Sequence, residues 1–283
     1  MTKTELLKNL AATGLKSHYG KQPNKEALLR YLWEIKHIID ADFVEYYIMA
    51  FWIFRHYATS AEIGVWSHGA MPSSIVCYCL GLTEVDPIKY GLHSARFVND
   101  APPKFQFDIE ASRFDEFMKE AEALLQANVG DNDIVAIRES LFQNLTPMDY
   151  LSRKCEKPLL ENIDDELAHY ALSFPQTMDL YEAYVQQPSR FDGIIYQEQM
   201  MDILRETFLV SGIKANNIRL AIQRGETENI EAYKKELFAS LKNITKEEAE
   251  TAWQRLISNP KAFLKAHAVS HILRLHKYDL EAK

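Results

Sequence analysis

The sequence predicts a predominantly helical α+β protein that contains one small mixed sheet. Most of the chain places apolar residues at helical spacing, as in segments 5–20 and 113–126. Segment 64–110 instead predicts a short strand, a turn, a buried helix, a long connection and a second strand in which apolar and polar residues alternate. Pro102 and Pro103 exclude a helix where that second strand begins. We therefore expect many helices around a minor sheet.

Composition narrows the class of protein. The chain has 283 residues, of which 47% are hydrophobic and 25% charged, which is typical of a globular protein with one large domain or two ordinary ones. Three cysteines form neither a disulfide framework nor a metal-binding spacing, which fits a reducing cytosol. No apolar stretch has the length of a membrane span and the N-terminus lacks the core of a signal peptide, so the sequence predicts a cytoplasmic protein without a membrane partner.

The formal net charge of −8 bears on the choice of partner. Proteins that grip nucleic acid strongly present a basic face to the phosphates. The acidic balance therefore counts against strong autonomous binding of nucleic acid and favours protein partners.

The first three predicted helices pack through regular apolar stripes. The first helix covers residues 5–20 and stops at Gly20. A second helix repeats apolar residues at helical spacing, and a third, from about residue 42 to 58, carries an aromatic stripe that we interpret as core packing. The repeating residues are Leu28, Leu32, Ile35 and Ile39 in the second helix and Phe43, Tyr47, Phe51 and Phe54 in the third.

The second strand of the 64–110 segment separates two kinds of side chain. Alternate residues of a strand face opposite sides of the sheet. The residues expected to face the core are Phe105, Phe107 and Ile109. The opposite face would collect Lys104, Gln106, Asp108 and Glu110. This polar face is the first candidate for a functional site.

Several stretches occur in the order found in a known family. They are CLGLT at 79–83 followed by Asp86 and Pro87, GLHSARFVND at 91–100, GIIYQEQMMDIL at 193–204 and FLKAHA at 263–268. In this order and spacing they resemble the palm and fingers of the bacterial DNA polymerase III alpha subunit, the C-family replicative polymerase. The match is most specific at 91–99 and 193–201.

The resemblance implies a nucleotidyltransferase-like palm with a helical thumb and truncated helical fingers. The implied segments are 1–118 for the first part of the palm with its N-terminal helices, 119–162 for a shortened thumb, 163–185 for the returning palm and 186–283 for the fingers.

The chain departs from the family at the implied catalytic positions. The family's two strand aspartates fall on Lys104 and Gln106, a cation and a weak neutral ligand, and its third carboxylate falls near Asp179. Nucleotidyl transfer needs divalent ions held by clustered carboxylates. A register slip of two residues would create an alternative acidic set of Asp108, Glu110 and Asp179, although it would move the ions by about 7 Å.

The implied nucleotide contacts are altered as well. The family's glycine-rich turn retains one glycine, Gly69, with His68 at the arginine position, so His68 is either a turn histidine or a phosphate contact. In the fingers segment, the resemblance makes Lys265 and His267 remnants of a family motif. Arg219 and Arg224 are further candidates for contact with DNA phosphates.

A zinc site has to be weighed separately. His267 and His271 are four residues apart on a predicted helix, which is a spacing that binds zinc, but the sequence offers no third ligand nearby. We therefore interpret these histidines as structural. No metal site or cofactor is predicted, except Mg²⁺ if the acidic set of Asp108, Glu110 and Asp179 is active.

These observations predict a catalytically lapsed relative of the C-family polymerase. It would act in DNA replication or repair by binding a replication protein or, weakly, a primer–template. One alternative is an active metal-dependent nucleotidyltransferase, and another is a decoy from a phage or mobile element that binds a polymerase's partner.

Overall fold

The computed structural model of the protein describes residues 1–148, 162–188, 191–242 and 244–281. The chain folds into two compact units. The first is formed by Met1–Pro158 together with Val269–Lys283, and the second by Leu159–Ala268. Among the described helices, none combines the length and the apolar character that a membrane span requires.

The first unit is mainly helical. Its helices are α1 (Lys3–Tyr19), α2 (Lys25–Asp40), α3 (Val44–Ala50), α4 (Ala58–Ser60), α5 (Ile75–Cys79), α6 (Phe114–Asn128) and α7 (Ile134–Phe142), with most of α14 (Lys265–Glu281) added at the end of the chain. The predicted first helix and its stop are confirmed, since α1 ends before Gly20, whose φ of 77° suits a residue without a Cβ.

The buried face of α2 differs from the predicted stripe. Leu28 and Leu32 are 39% and 52% exposed, whereas Tyr31 and Ile35 are buried. Glu34 lies on the buried face and is fully enclosed. Spacing alone could not reveal this rotation, because the helix turns the polar Glu34 inward to meet α5.

The aromatic helix packs as predicted but with unusual geometry. From Phe51 to Tyr57 its hydrogen bonds follow a π-helical pattern, and α4 continues it. Tyr47 and Phe54 are buried, and the ring of Phe54 stacks on that of Phe107 with centroids 4.0 Å apart. The aromatic stripe therefore joins the helix to the sheet.

The sheet is small and mixed, as predicted. In the described part of the chain it has the order β1–β2–β3, formed by β1 (Val65–Ser67), β2 (Phe107–Glu110) and β3 (Leu145–Met148). β1 pairs with β2 antiparallel and β2 pairs with β3 parallel. β3 was not predicted from the sequence, because a four-residue strand that contains Pro147 carries little periodic signal.

β2 is shorter than the predicted strand, but it has the predicted faces. Phe105, Phe107 and Ile109 are at most 1% exposed. Phe105 precedes the strand, and its N–H donates to the Ser140 carbonyl. The alternation of side chains therefore extends beyond the paired residues, and it leaves Asp108 on the opposite side.

A buried carboxylate holds the start of α5. Ser74 caps this helix through its hydroxyl. Glu34 accepts from the N–H groups of Ile75 and Val76, at 3.1 and 3.0 Å, and from the hydroxyls of Ser74 and Ser94, at 2.7 and 2.6 Å. The free N–H groups of a helix N-terminus favour a carboxylate. This explains why a glutamate occupies the core side of α2.

The described elements of the second unit are helices, apart from an isolated β-bridge between Tyr196 and Phe263. The unit contains α8 (Ile163–Leu172), α9 (Tyr181–Gln186), α10 (Gln197–Phe208), α11 (Gly212–Arg224), α12 (Thr227–Ala239), α13 (Lys246–Ile257) and the first turn of α14. A capping box at Thr245 and Glu248 begins α13, and Ala249, Trp253 and Leu256 are buried behind it.

The YQEQM stretch, residues 196–200, begins α10. Gln199 accepts from the N–H groups of Ile195 and Tyr196, both at 2.8 Å. The Gln197 amide donates to the Ala262 carbonyl, and Glu198 accepts from the N–H of Lys265 at 2.9 Å. These side chains therefore connect α10 to the segment that begins α14.

The four implied palm, thumb and fingers segments stay predictions. The two compact units divide near residue 158 and again between Ala268 and Val269. Residues 149–161, in the predicted thumb, lie outside the described residues.

Candidate functional site

The polar side of β2 is the center of the candidate site in the first unit. Asp108 is 5% exposed there and is ion-paired. The Arg274 guanidinium donates from Nη1 to Asp108 Oδ2 at 2.5 Å. Arg274 is itself largely buried, with 11% of its side chain exposed, so little solvent screens the pair.

A second cation-forming side chain faces the same carboxylate. Nε2 of His68 lies 3.5 Å from Asp108 Oδ1. Burial lowers the pKa of His68 and the Arg274 guanidinium lowers it further, whereas Asp108 opposes the shift. The histidine of the degenerate turn therefore lies beside the strand carboxylate and is biased towards its neutral form.

Glu110 is engaged at the edge of the sheet. Its Oε2 accepts from the Gly64 N–H at 3.2 Å, and its Oε1 accepts from the Ser112 hydroxyl at 2.6 Å. The Ser112 hydroxyl and the Gly64 N–H hold the pKa of Glu110 below its ordinary value. This carboxylate is charged, but both of its oxygens have protein partners.

The two positions where the family keeps aspartates have different surroundings. Lys104 is exposed. The carbonyl of Gln106 accepts from the His68 N–H at 3.0 Å, and its Oε1 lies 3.4 Å from the Ala70 N–H that donates to it. Gly69 has a φ of 65°, and a Cβ there would lie 1.7 Å from Gln106 Oε1. The side chain of Gln106 thus occupies the space beside the turn.

The donors around this turn are already used within the protein. N–H groups of a glycine-rich turn and of the following helix are what hold a triphosphate. Here the N–H groups of His68 and Ala70 donate to Gln106, while those of Ile75 and Val76 donate to Glu34. A phosphate would have to displace these internal acceptors.

The last helix contributes further contacts within the first unit. The Ser270 hydroxyl donates to the Ser67 carbonyl on β1, and Lys277 Nζ donates to Glu84 at 2.7 Å. With Arg274 between them, these residues hold residues 269–277 of α14 against the sheet and the segment after α5. Arg274 reaches Asp108 because α14 is held in this register.

The residues of this site do not fit the pair of divalent ions that the family's chemistry requires. Lys104 brings a positive charge, Gln106 is engaged with the turn, and Asp108 is neutralised by Arg274. Across the described ranges, no three His, Cys, Asp or Glu side chains form a group that could hold a metal ion.

The candidates in the second unit have contrasting positions. Asp179 is exposed in a 3₁₀ turn, Met178–Leu180, and its proximity to Asp108 stays a prediction. Arg224 is exposed beside Glu226. Arg219 is only 1% exposed, which does not favour the expected contact with DNA phosphates. Its partners are Gln223 Oε1 at 2.6 Å, Gln197 Oε1 at 3.1 Å and Asn216 Oδ1 at 3.2 Å.

The residues at the start of α14 make aromatic contacts. Lys265 Nζ lies 5.7 Å from the ring centroid of Tyr196. His267 Nε2 is 3.4 Å from the Tyr170 hydroxyl. His271 lies one turn further and its Nδ1 is 3.1 Å from Arg274 Nη2. Roles for Lys265 and His267 in binding nucleotide or DNA stay predictions.

Sequence reasoning missed two residues that decide the character of the site. Arg274 was not singled out, because nothing in its local pattern indicates a partner on β2. Glu34 was not singled out either. Its place between Tyr31 and Ile35 on the buried face could have been noticed once the aromatic residue was counted into the stripe.

Comparison with known proteins agrees with the architecture of both units. A family model described as "Bacterial DNA polymerase III alpha NTPase domain" matches residues 5–128. A second, described as "Bacterial DNA polymerase III alpha subunit finger domain", matches residues 160–245. The two matches follow each other along the chain and together include every strongly matching stretch except FLKAHA.

Individual relatives match the N-terminal part of the chain. An "Error-prone DNA polymerase" of Bdellovibrio bacteriovorus is 32% identical over 122 residues, which are 42% of this chain and 11% of that protein. "Error-prone DNA polymerase 1" of Rhizobium meliloti is 30% identical over 121 residues, with the same shares. An "Error-prone DNA polymerase" of Hahella chejuensis is 36% identical over 78 residues, 26% of this chain and 8% of that protein. The chain therefore matches about a tenth of the length of these relatives.

Proposed function

Because the chain belongs to the family of bacterial DNA polymerase III alpha subunits, we propose that it acts in DNA replication or repair without synthesising DNA. It binds a replication protein or a primer–template and carries out no nucleotidyl transfer. Its relatives are named as DNA polymerases, and we assign their setting, but not their chemistry, to the present chain.

The observation that carries the proposal is the ion pair between Asp108 and Arg274. In the family's chemistry, carboxylates on this strand face hold divalent cations that activate the attacking oxygen. A guanidinium at 2.5 Å already neutralises the buried carboxylate here. A divalent ion beside Arg274 would also be repelled strongly in so buried a place. The site thus supports a folded palm with a built-in cation.

The acidic charge of the chain supports a protein as the principal partner. With a net charge of −8, long-range attraction to the DNA backbone is weak. Binding of a primer–template would then depend on local cations such as Arg224, and it would weaken steeply as salt rises. Cytoplasmic location is part of the same proposal.

A primer-extension assay tests the loss of synthesis. The purified chain is incubated with a labelled primer–template, the four deoxynucleotides and either Mg²⁺ or Mn²⁺, and we expect no extension. Asp108→Asn serves as the control, because it removes the buried carboxylate of the acidic set Asp108, Glu110 and Asp179. Extension by the parent that disappears in Asp108→Asn would overturn the proposal and favour catalysis by Asp108, Glu110 and Asp179.

Binding is tested separately from catalysis. Affinity capture from a bacterial lysate, followed by mass spectrometry, should enrich replication or repair proteins over a bait of matched size and charge. Fluorescence anisotropy with a labelled primer–template measures the competing mode. If neither experiment gives a signal above the control bait, the binding role is wrong even where synthesis is absent.

A further inference from the structure

We propose that a groove in the first unit, centred on Arg55, binds a nucleotide unit, meaning a phosphate together with its base. The unit is either a free nucleotide or part of a single DNA strand. The inference goes beyond the proposed function, because the groove lies at the C-terminal end of α5 and not at the polar face of β2. It holds whether or not the chain synthesises DNA.

The groove has the size of a ligand site. Its volume is about 840 Å³, and it runs between α1, the π-helical segment and the residues that follow α5. It shares Arg55, Thr59, Gly81, Thr83 and Glu84 with a smaller cavity of about 140 Å³ that extends to β1. Sites for small ligands commonly occupy 300–1,000 Å³, so the groove could admit a nucleotide.

Arg55 is held in place at the junction of the two spaces. Gly81 has a φ of 70°, and a Cβ there would lie 2.8 Å from Arg55 Nε, so the arginine side chain passes over a residue that has none. Arg55 Nη1 donates to the Thr59 hydroxyl at 3.0 Å. In the described part of the chain, no carboxylate pairs with Arg55. Its remaining donors are therefore oriented and available to an anion.

The charge of the groove contrasts with that of the whole protein. The chain carries −8, yet Glu84 is the one acidic residue among the described residues that line the two spaces. Glu84 forms an ion pair with Lys277, whose Nζ lies 2.7 Å from Glu84 Oε1. The groove is thus locally cationic around Arg55, which complements a phosphate.

An aromatic surface lies along the same groove. The His18 ring stacks on that of Tyr78, with centroids 4.0 Å apart and an angle of 24° between the planes. His18 is exposed and Tyr78 half-buried, and Phe51 lines the same groove. Bases stack on such rings irrespective of sequence. An aromatic ring and a phosphate are the two halves of a nucleotide, and the groove offers a partner for each.

The backbone at this place is also unusual. Phe51, Arg55 and His56 all line the groove and all belong to the π-helical segment Phe51–Tyr57. π-Helical turns are rare and are frequently found at functional sites. The wider turn brings these three side chains to one surface, which an uninterrupted α-helix would distribute differently.

Calorimetric titration of the full chain tests the proposal. The probes are thymidine 5′-monophosphate, thymidine, inorganic phosphate and a ten-residue oligothymidylate. We expect the monophosphate to bind more tightly than thymidine or phosphate alone. Arg55→Gln should weaken the binding of the monophosphate by roughly 10- to 100-fold, since a hydrogen bond to a charged group is lost. Arg138→Gln, which removes the same charge outside the groove, should leave the affinity unchanged.

A second variant separates the base from the phosphate. His18→Ala removes an exposed ring and should lower the affinity for the monophosphate about 5-fold or more, while binding of inorganic phosphate is unchanged. If the oligothymidylate binds more tightly than the monophosphate, the ligand is a single strand. If it binds equally well or more weakly, the ligand is a free nucleotide. The proposal would be overturned if Arg55→Gln left the affinities for the monophosphate and the oligothymidylate unchanged. It would also be overturned if neither of these two probes bound at millimolar concentration. Neither result depends on the outcome of primer extension.

Discussion

Arg274 and Asp108 are joined by a hydrogen bond of 2.5 Å between Nη1 and Oδ2, although they are 166 positions apart in the sequence. The bond connects the last helix to the central strand of the sheet. It places a fixed positive charge on the strand face where the resemblance implies divalent ions, and we expect the stability of the first unit to depend on this buried pair.

We predict that Arg274→Gln destabilises the first unit by about 3–5 kcal/mol, because it leaves a buried carboxylate without its principal cation. The double variant Arg274→Gln with Asp108→Asn should lose less stability than the single variant, since both charges are removed together. Hydrogen exchange of the amides that pair β1 with β2 measures the effect in the full chain.

Arg138→Gln is the matched control for this prediction. Arg138 pairs with Glu122 at 2.8 Å on a partly exposed surface, where an ion pair contributes about 1 kcal/mol or less. If the amides that pair β1 with β2 exchange equally fast in Arg274→Gln and Arg138→Gln, the buried pair has no special role in stability.

Restoring acidic residues at the altered positions should recover a cation site without recovering synthesis. In Lys104→Asp with Gln106→Asp, the added carboxylates should raise the affinity for Mg²⁺ or Mn²⁺ measured by calorimetry. Primer extension should remain absent, because Arg274 still pairs with Asp108 and the N–H groups of Ile75 and Val76 still donate to Glu34.

A control with the same charge change is available on α6. Lys119→Asp with Gln126→Asp converts two exposed residues and should leave the affinity for divalent ions near that of the parent. Equal affinities in the two double variants would mean that residues 104 and 106 do not face a common space.

His68 should make stability depend on pH. Its pKa is lowered in the folded protein by burial and by Arg274, so below about pH 6.5 the unfolded chain binds a proton that the folded chain does not. Stability should therefore rise with pH through this region and fall as the pH drops below it.

The variant that tests this pH dependence is His68→Gln. Its denaturation midpoint should change less than that of the parent between pH 7.5 and 5.5, a range in which carboxylates contribute little. Parallel curves for the two proteins would exclude His68 as the responsible group.

Arg219 and Arg224 should behave differently on substitution, although both were expected to contact phosphates. Arg224→Gln should leave the fold intact and reduce any binding of DNA, with a shallower dependence on salt. Arg219→Gln should instead loosen the second unit by roughly 1.5–3 kcal/mol, since it removes charged hydrogen bonds to buried amide groups.

Hydrogen exchange of the amides in α10 and α11 distinguishes the two variants, because a loss of stability caused by Arg219→Gln should appear in these helices. Fluorescence anisotropy with single-stranded DNA at several salt concentrations gives the binding effect. Faster exchange in Arg224→Gln than in Arg219→Gln would reverse the assignment made from burial.

Local chemistry made much of the fold predictable. The alternation around Phe107 places three apolar residues in the core, and the cap at Thr245 begins a helix, because both depend on neighbours only a few residues away. β3 could not be predicted in this way. Its pairing is parallel and begins at Leu145, far along the chain from its partner Phe107.

The sequence by itself determined which side chains share the polar side of β2, because that follows from the two-residue period of a strand. The resemblance to the family implied that Lys104 and Gln106 stand there in place of carboxylates. Only the tertiary structure decided that Asp108 pairs with Arg274, and that the inward side of α2 carries Glu34 to α5. Periodicity sets the direction of a side chain on its own element, whereas the partner it meets depends on how distant segments pack and on the need to neutralise a charge once it is buried.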